Sequence, residues 1–132
     1  MPIVVESLHH VSYQDQQDLQ KIYQDAPHWL FAPLSDAGEL IETGLGDGSL
    51  IAGRFNDRLL GAARLQRHQA VWHLSQLCVR SITRRRGVAE RLVSEAQRMA
   101  RQQGATLRLQ APAGHLPAQA LAAKLHLELD EF

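Results

Sequence analysis

The feature that most constrains this chain is a change of rhythm between residues 79 and 88. Before it, three runs read as strands, Ser49–Phe55, Arg58–Leu65 and Val71–Val79. Asn56-Asp57, between the first two, has the chemistry of a two-residue hairpin turn, and His68–Ala70 joins the second to the third. Beyond it, Val88, Ala89, Leu92, Val93, Ala96, Met99 and Ala100 recur at spacings of three and four. Arg91, Glu95, Arg98 and Arg101 fall outside that stripe, which predicts an amphipathic helix from Arg86 to about Gln103, closed by Gly104. Three antiparallel strands feeding a strand–helix–strand crossover require a mixed sheet.

The flanks complete the pattern. Ile3–Val5 suits an opening strand, and Ser12 caps a helix that runs to about Asp25 with Leu19, Ile22 and Tyr23 on one face. Pro27 stops it. Ser35-Asp36, with Glu39 three residues after Asp36, opens a second helix that ends at Gly44, Gly46 and Gly48. After the long helix come a strand at Ala105–Leu109, a helix at Pro117–Leu125 and a last short strand at His126–Asp130. The expected order is β-α-α-β-β-β-α-β-α-β, an α+β (α/β) arrangement with helices flanking a mixed central sheet. No linker, repeat or low-complexity stretch divides the 132 residues, so one domain spanning 1–132 is expected.

Bulk properties narrow the function. No apolar run approaches the roughly 18 residues of a membrane span, and the N-terminus lacks the pattern of a signal peptide. The single cysteine, Cys78, has no internal partner for a disulfide, which fits a cytoplasmic setting. Cys78 itself reads as a small buried hydrophobe. The zero net charge conceals an asymmetry: residues 1–53 hold eight acids and one base, residues 54–124 thirteen bases and three acids. Such a split suggests that the middle of the chain faces something anionic.

The junction at 77–89 says what that anion could be. Leu77-Cys78-Val79 ends a strand, and Arg84-Arg85-Arg86-Gly87-Val88-Ala89 opens a helix. A helix N-terminus offers unpaired N–H groups and the positive end of the macrodipole, a seat for phosphate. Gly87 lets the backbone approach a ligand closely, Ala89 keeps the next contact small, and the arginines add charge for a pyrophosphate or 3′-phosphate. A phosphate-bearing cofactor is the expectation, and a basic helix start with a convenient glycine is the alternative. The P-loop and dinucleotide fingerprints are absent, and strands rather than a helix-turn-helix surround the basic cluster, so nucleic acid is not the expected ligand.

The pattern Arg-x-x-Gly-x-Ala after a strand resembles the acetyl-CoA signature of the GNAT (N-acetyltransferase) superfamily, and the element order is similar along the whole chain. That resemblance implies acetyl-CoA or CoA as cofactor. It implies pyrophosphate held by Arg84, Arg85, Arg86, Gly87, Val88 and Ala89, pantetheine paired with Val79 beside Cys78, and the Leu77 N–H facing the thioester carbonyl. The strings RFNDRLLGAARL and LCVRSITRRRGVAERL, with DQQDLQKIY nearer the start, look like the PanZ (PanM) branch of acetyl-CoA sensors. The branch implies a partner, aspartate α-decarboxylase, whose maturation it regulates in pantothenate and CoA synthesis. Arg54 and Asn56 would then lie at the acetyl end of the site and face that partner.

Whether such a chain is an enzyme stays open at this level. GNAT enzymes often carry a general-acid tyrosine in Leu-Tyr-x-Lys-Leu-Gly-Phe; here Leu121-Ala122-Ala123-Lys124-Leu125-His126-Leu127 places Ala122 there. The sequence ends at Phe132 after one short strand, where most GNAT enzymes continue through a hairpin, so the C-terminal strand region reads as truncated. A sensor and an N-acetyltransferase acting on a small-molecule or protein amine are both compatible. For the latter, the candidate bases are His73 and Glu42. His9-His10 lacks further ligands at useful spacing, so no metal site is expected. Trp29, Phe31 and Leu34 are read as core, with an exposed patch for a partner as the alternative.

Overall fold

The computed structural model describes residues 3–24, 26–80 and 87–132. Strand β1 (Val4–Ser7) leads to helix α1 (Tyr13–Gln24), a 3-10 turn at His28–Phe31 and helix α2 (Ala37–Asp47). Strands β2 (Leu50–Phe55), β3 (Arg58–His68) and β4 (Val71–Val79) follow, then α3 (Val88–Gln102), β5 (Thr106–Ala111), α4 (Leu116–Leu125) and β6 (Glu128–Glu131). The six strands lie in chain order in one sheet. Pairings from β1 to β4 are antiparallel, and those of β4 with β5 and β5 with β6 are parallel. The sheet is mixed, as the order of elements requires.

Local chemistry accounts for most boundaries. The Ser12 hydroxyl accepts from the Asp15 N–H at 3.1 Å to start α1, and Asp36 caps α2 by accepting from the Glu39 N–H at 2.9 Å. Helix α2 runs through Gly44 and Gly46 and stops only at Gly48, because Gly44 packs against Leu50, where a Cβ would lie 2.8 Å from that side chain. Asn56 and Asp57 have φ of 48° and 65°, the doubly positive pair of a tight hairpin turn. The 3-10 turn at His28–Phe31 has no counterpart in the sequence reading, since four residues are too few to show a period.

Two cores sandwich the sheet. On one face α3 and α4 bury Ile51, Leu65, Trp72, Leu74, Leu107 and Leu109 against Leu92, Val93 and Ala96. On the other, α1 and α2 cover Leu50, Ala52, Leu59 and Ala62 with Leu19, Ile22, Tyr23 and Leu40. Strand periodicity predicts such alternation, and β4 breaks it once. Ala62 pairs with Cys78 and Arg64 with Ser75, so two β4 residues, Gln76 and Leu77, stand opposite Ala63 alone. Gln76 takes a φ of 55° at this bulge. The extra residue puts Leu77 and Val79 on the α3 face, together with Trp72 and Leu74, and leaves Cys78 on the α1 face.

Candidate functional site

Parallel pairing of β4 with β5 runs from Val71↔Thr106 to Leu74↔Leu109 and then ceases. From there β5 continues along β6 while β4 continues along β3 through Ala62↔Cys78 and Gly61↔Val79. The two strands diverge, and between them opens a groove of about 860 Å³. Its size suits a cofactor-scale ligand.

Main-chain groups of β4 face this opening. The Arg80 N–H donates to Leu60 O on β3 at 2.9 Å, and strand groups alternate sides, so the N–H and C=O of Val79 and Leu77 point away from β3 toward the groove. At one end stands α3. Its N-cap is Gly87 at φ 78°, which has no side chain to cap the first turn. Among the described residues, no side chain accepts from the earliest amides of the helix. Two glycines bring that end close to the sheet: Gly53 and Gly61 face one another across β2 and β3, and a Cβ on Gly61 would lie 2.8 Å from Val88. Leu77, Cys78, Val79, Gly87, Val88 and Ala89, anticipated from sequence, all line this one groove. Arg84, Arg85 and Arg86 lie outside the described residues.

Other anticipated positions fall elsewhere. His73 sits in the first half of β4, paired with Arg108 and 3.5 Å from the Asp130 carboxylate, and is not among the groove residues. Glu42 lies on α2, also away from the groove. Ala122 is buried in the core, so the groove face of α4 is instead Pro117, Ala118, Ala120, Leu121 and Lys124. Arg54 and Asn56 stand at the same end of the sheet as Val79, but neither lines the groove. The Arg54 guanidinium is held by Asp15 at 2.9 Å and Glu6 at 3.0 Å, bonds that raise its pKa and orient it inward. Asn56 is exposed on the turn.

The same accounting revises the charge asymmetry. Asp18, fully buried on α1, receives Arg58 Nη2 at 2.6 Å and the Leu59 N–H at 3.1 Å. Burial pushes the Asp18 carboxyl up, but the hydrogen bonds from Arg58, the Leu59 N–H and Gln14 together outweigh it and hold the pKa below its ordinary value. Arg64 pairs with Asp47 at 3.1 Å. Much of the anion facing the basic strands is thus the chain's own N-terminal third.

Of four further groove residues, only Trp29 is named from sequence, and there chiefly as core. Trp29, on the 3-10 turn, is 37% exposed rather than core, and its ring meets His115 edge-on at 5.3 Å across the groove mouth. His115 caps α4, its Nδ1 accepting from the Ala118 N–H at 3.3 Å. Gln76 and Gln110 stand where the strands part, between the groove and a second cavity of about 60 Å³. Asp or Ser before a helix announces a cap; a histidine does not, and a glutamine in a strand carries no signal until the bulge is known. Phe31, by contrast, is core as expected, and Cys78 packs against the α1 layer with its thiol donating to Ile22 O at 3.2 Å.

A mixed sheet that splays between two parallel strands, with a helix N-terminus at the opening, is the architecture of the GNAT acetyltransferase domain. A solved Bacillus subtilis acetyltransferase in complex with CoA superposes with a TM-score of 0.68 at 14% identity, over 95% of this chain and 76% of that one. The family model of the PanZ-type GNAT acetyltransferase domain matches residues 2–129. The chain belongs to that family. The PanD regulatory factor of Salmonella typhimurium is 42% identical over 98 residues, covering 74% of this chain and 68% of the relative. The PanD regulatory factor of Escherichia coli K12 is 35% identical over the same shares.

Proposed function

We propose that this protein is an acetyl-CoA-responsive regulator of aspartate α-decarboxylase, binding the cofactor in the β4–β5 groove. The observation that supports the cofactor half is the alignment of the groove: the N-terminus of α3, capped by Gly87, at one end and the open edge of β4 along its length. In this reading Gly87, Val88 and Ala89 present backbone N–H groups to the pyrophosphate, with Arg84, Arg85 and Arg86 adding charge. Val79 pairs with the pantetheine arm and the Leu77 N–H faces the thioester carbonyl. Membership of the PanZ family and two relatives named as PanD regulatory factors support the regulatory half.

Asn56, exposed on the hairpin at the same end of the sheet, is the residue offered to the partner. Arg54 acts through Glu6 and Asp15, fixing the base of that hairpin. The test is capture of aspartate α-decarboxylase by the immobilised protein with and without acetyl-CoA. Capture that depends on acetyl-CoA supports the reading, and capture that is absent in both arms removes this partner.

Acetyl transfer is the second reading, and one observation speaks for it. His115 lines the groove, and with Nδ1 accepting from a backbone amide its proton sits on Nε2, available as a donor. Against it, the cavity past Gln76 holds about 60 Å³, room for about two water molecules rather than an amine substrate. Saturable CoA release with any amine, lost on His115→Ala, would establish an enzyme.

A further inference from the structure

Among the described residues, Glu90 and Lys124 are the only Asp, Glu, Lys or Arg side chains that line the groove. Glu90 stands in the first turn of α3, just beyond Gly87, and Lys124 in the last turn of α4. They join the two helices, Lys124 Nζ donating to Glu90 Oε2 at 3.0 Å. The Lys124 and Glu90 side chains are 65% and 42% exposed, so water competes for both ends and the pair adds little to stability. Each charge suits the dipole of its own helix, which accounts for the residue types without any ligand. It does not account for their place. The carboxylate shares its turn with the amides that open α3, where an incoming anion meets a like charge. The one cation on the α4 wall is bound to that carboxylate.

We infer that Glu90 and the pyrophosphate of CoA compete for Lys124, so that Glu90 acts as an internal competitor that holds cofactor affinity down. The inference rests on the groove taking CoA with its phosphates at the start of α3. Transfer of Lys124 from carboxylate to phosphate costs little, because the Glu90 side chain is exposed enough to pass to water. An ammonium with three donors follows a phosphate oxygen through small rotations of its stem, and a charge-assisted bond to a pyrophosphate is the stronger of the two. The pantetheine arm carries no charge and cannot displace Glu90, so the exchange reserves Lys124 for the phosphate-bearing part of the ligand. An internal competitor raises the Kd, and with it the concentration range over which the groove responds.

Calorimetric titration of wild type, Lys124→Gln and Glu90→Gln with CoA and with dephospho-CoA tests the exchange. CoA affinity should fall about tenfold in Lys124→Gln and rise about threefold in Glu90→Gln. Dephospho-CoA, which keeps the pyrophosphate and lacks the 3′-phosphate, should follow in both proteins. Arg98→Gln and Glu42→Gln make the same charge changes at exposed positions off the groove, and should shift affinity by less than about twofold. Weaker binding in Glu90→Gln would make its carboxylate a support for Lys124 rather than a competitor, and would overturn the inference. Equal affinity in wild type and Lys124→Gln would do the same, returning the pair to a contact between two helix ends. A loss confined to CoA, with dephospho-CoA unaffected, would move Lys124 to the 3′-phosphate and sink the pyrophosphate exchange. A wild type that binds neither probe would instead remove the cofactor reading on which the inference rests.

Discussion

Both halves of the sheet pair charges within the chain, Arg108 with Asp130 on the β5–β6 side, but only one half leaves main chain open. On the β1–β3 side, Arg54 is gripped by Glu6 and Asp15, Arg58 by Asp18, and Arg64 by Asp47. That half finds its counter-charges within the chain. On the β4–β5 side the pairing ends at Leu74↔Leu109, and the Leu77 and Val79 main chain is left facing the groove. Paired polar groups hold a shape; main chain left open along a concave surface can take a ligand. The contrast separates what keeps this protein folded from what it binds, although arginine is abundant in both.

Substitutions on the two halves should therefore separate into binding and stability effects. The largest change should come from Gly87→Glu, which sets a carboxylate at the phosphate seat. CoA affinity should fall at least about 100-fold, read as loss of the thermal shift that ligand binding produces. Because Gly87 has φ 78° and open space around it, Gly87→Ala serves as the control for backbone strain alone. An undiminished shift in Gly87→Glu would end the phosphate assignment.

Next in size, Asp18→Ala strips the partner from Arg58 and the acceptor from the buried Leu59 N–H. It should cost about 2–3 kcal/mol in urea denaturation while leaving CoA affinity within twofold. The pH dependence has a defined sign. The folded pKa of Asp18 is depressed, so its contribution is complete above the ordinary value of 3.8 and is lost as pH falls through the folded value. Wild type and Asp18→Ala should converge in stability below that range. A constant difference down to the acid limit would mean that the ion pair contributes nothing.

Gly61→Ala should blur the division between the halves. Its Cβ would meet Val88 at 2.8 Å and Val79 at 3.1 Å, both groove residues, so α3 must shift. A loss of about 1–3 kcal/mol in stability should be accompanied by weaker CoA binding. Full affinity in a destabilised variant would show that the seat of α3 is not what shapes the groove.

The smallest effect concerns salt. Raising ionic strength from about 0.05 to about 0.5 M should weaken CoA binding a few-fold through screening of the arginine charge, while urea stability changes little. Salt-independent affinity would assign Arg84, Arg85 and Arg86 to a solvated face.

How much of this was legible beforehand differs between fold and site. Helix and strand order follows from apolar spacing because each element of more than about six residues repeats its pattern locally. The short 3-10 turn escaped because nothing repeats there, and Trp29 upon it was visible only as an aromatic that could pack or stay exposed. Gly87 was legible from its place at a strand-to-helix junction, Val79 only through the family resemblance. His73 lies before the splay, beside Asp130: a histidine's chemistry is visible in sequence, whereas its position along a strand relative to a splay is not. Asp15 and Asp18 share the helix face of Leu19 and Ile22, a signal that these carboxylates must be buried and paired, but not a signal of which arginine answers.

By itself, then, the sequence determined the elements, their order, the mixed sheet and the glycine at the start of α3, since all of these depend on neighbours within a few residues. Only the tertiary structure decided where β4 and β5 part and that Arg54 turns inward to Glu6 and Asp15. Those outcomes depend on one extra residue in β4 and on contacts between residues 39 to 48 positions apart. Local propensity carries no information about partners at that distance; packing, and the cost of leaving a buried polar group alone, settles them.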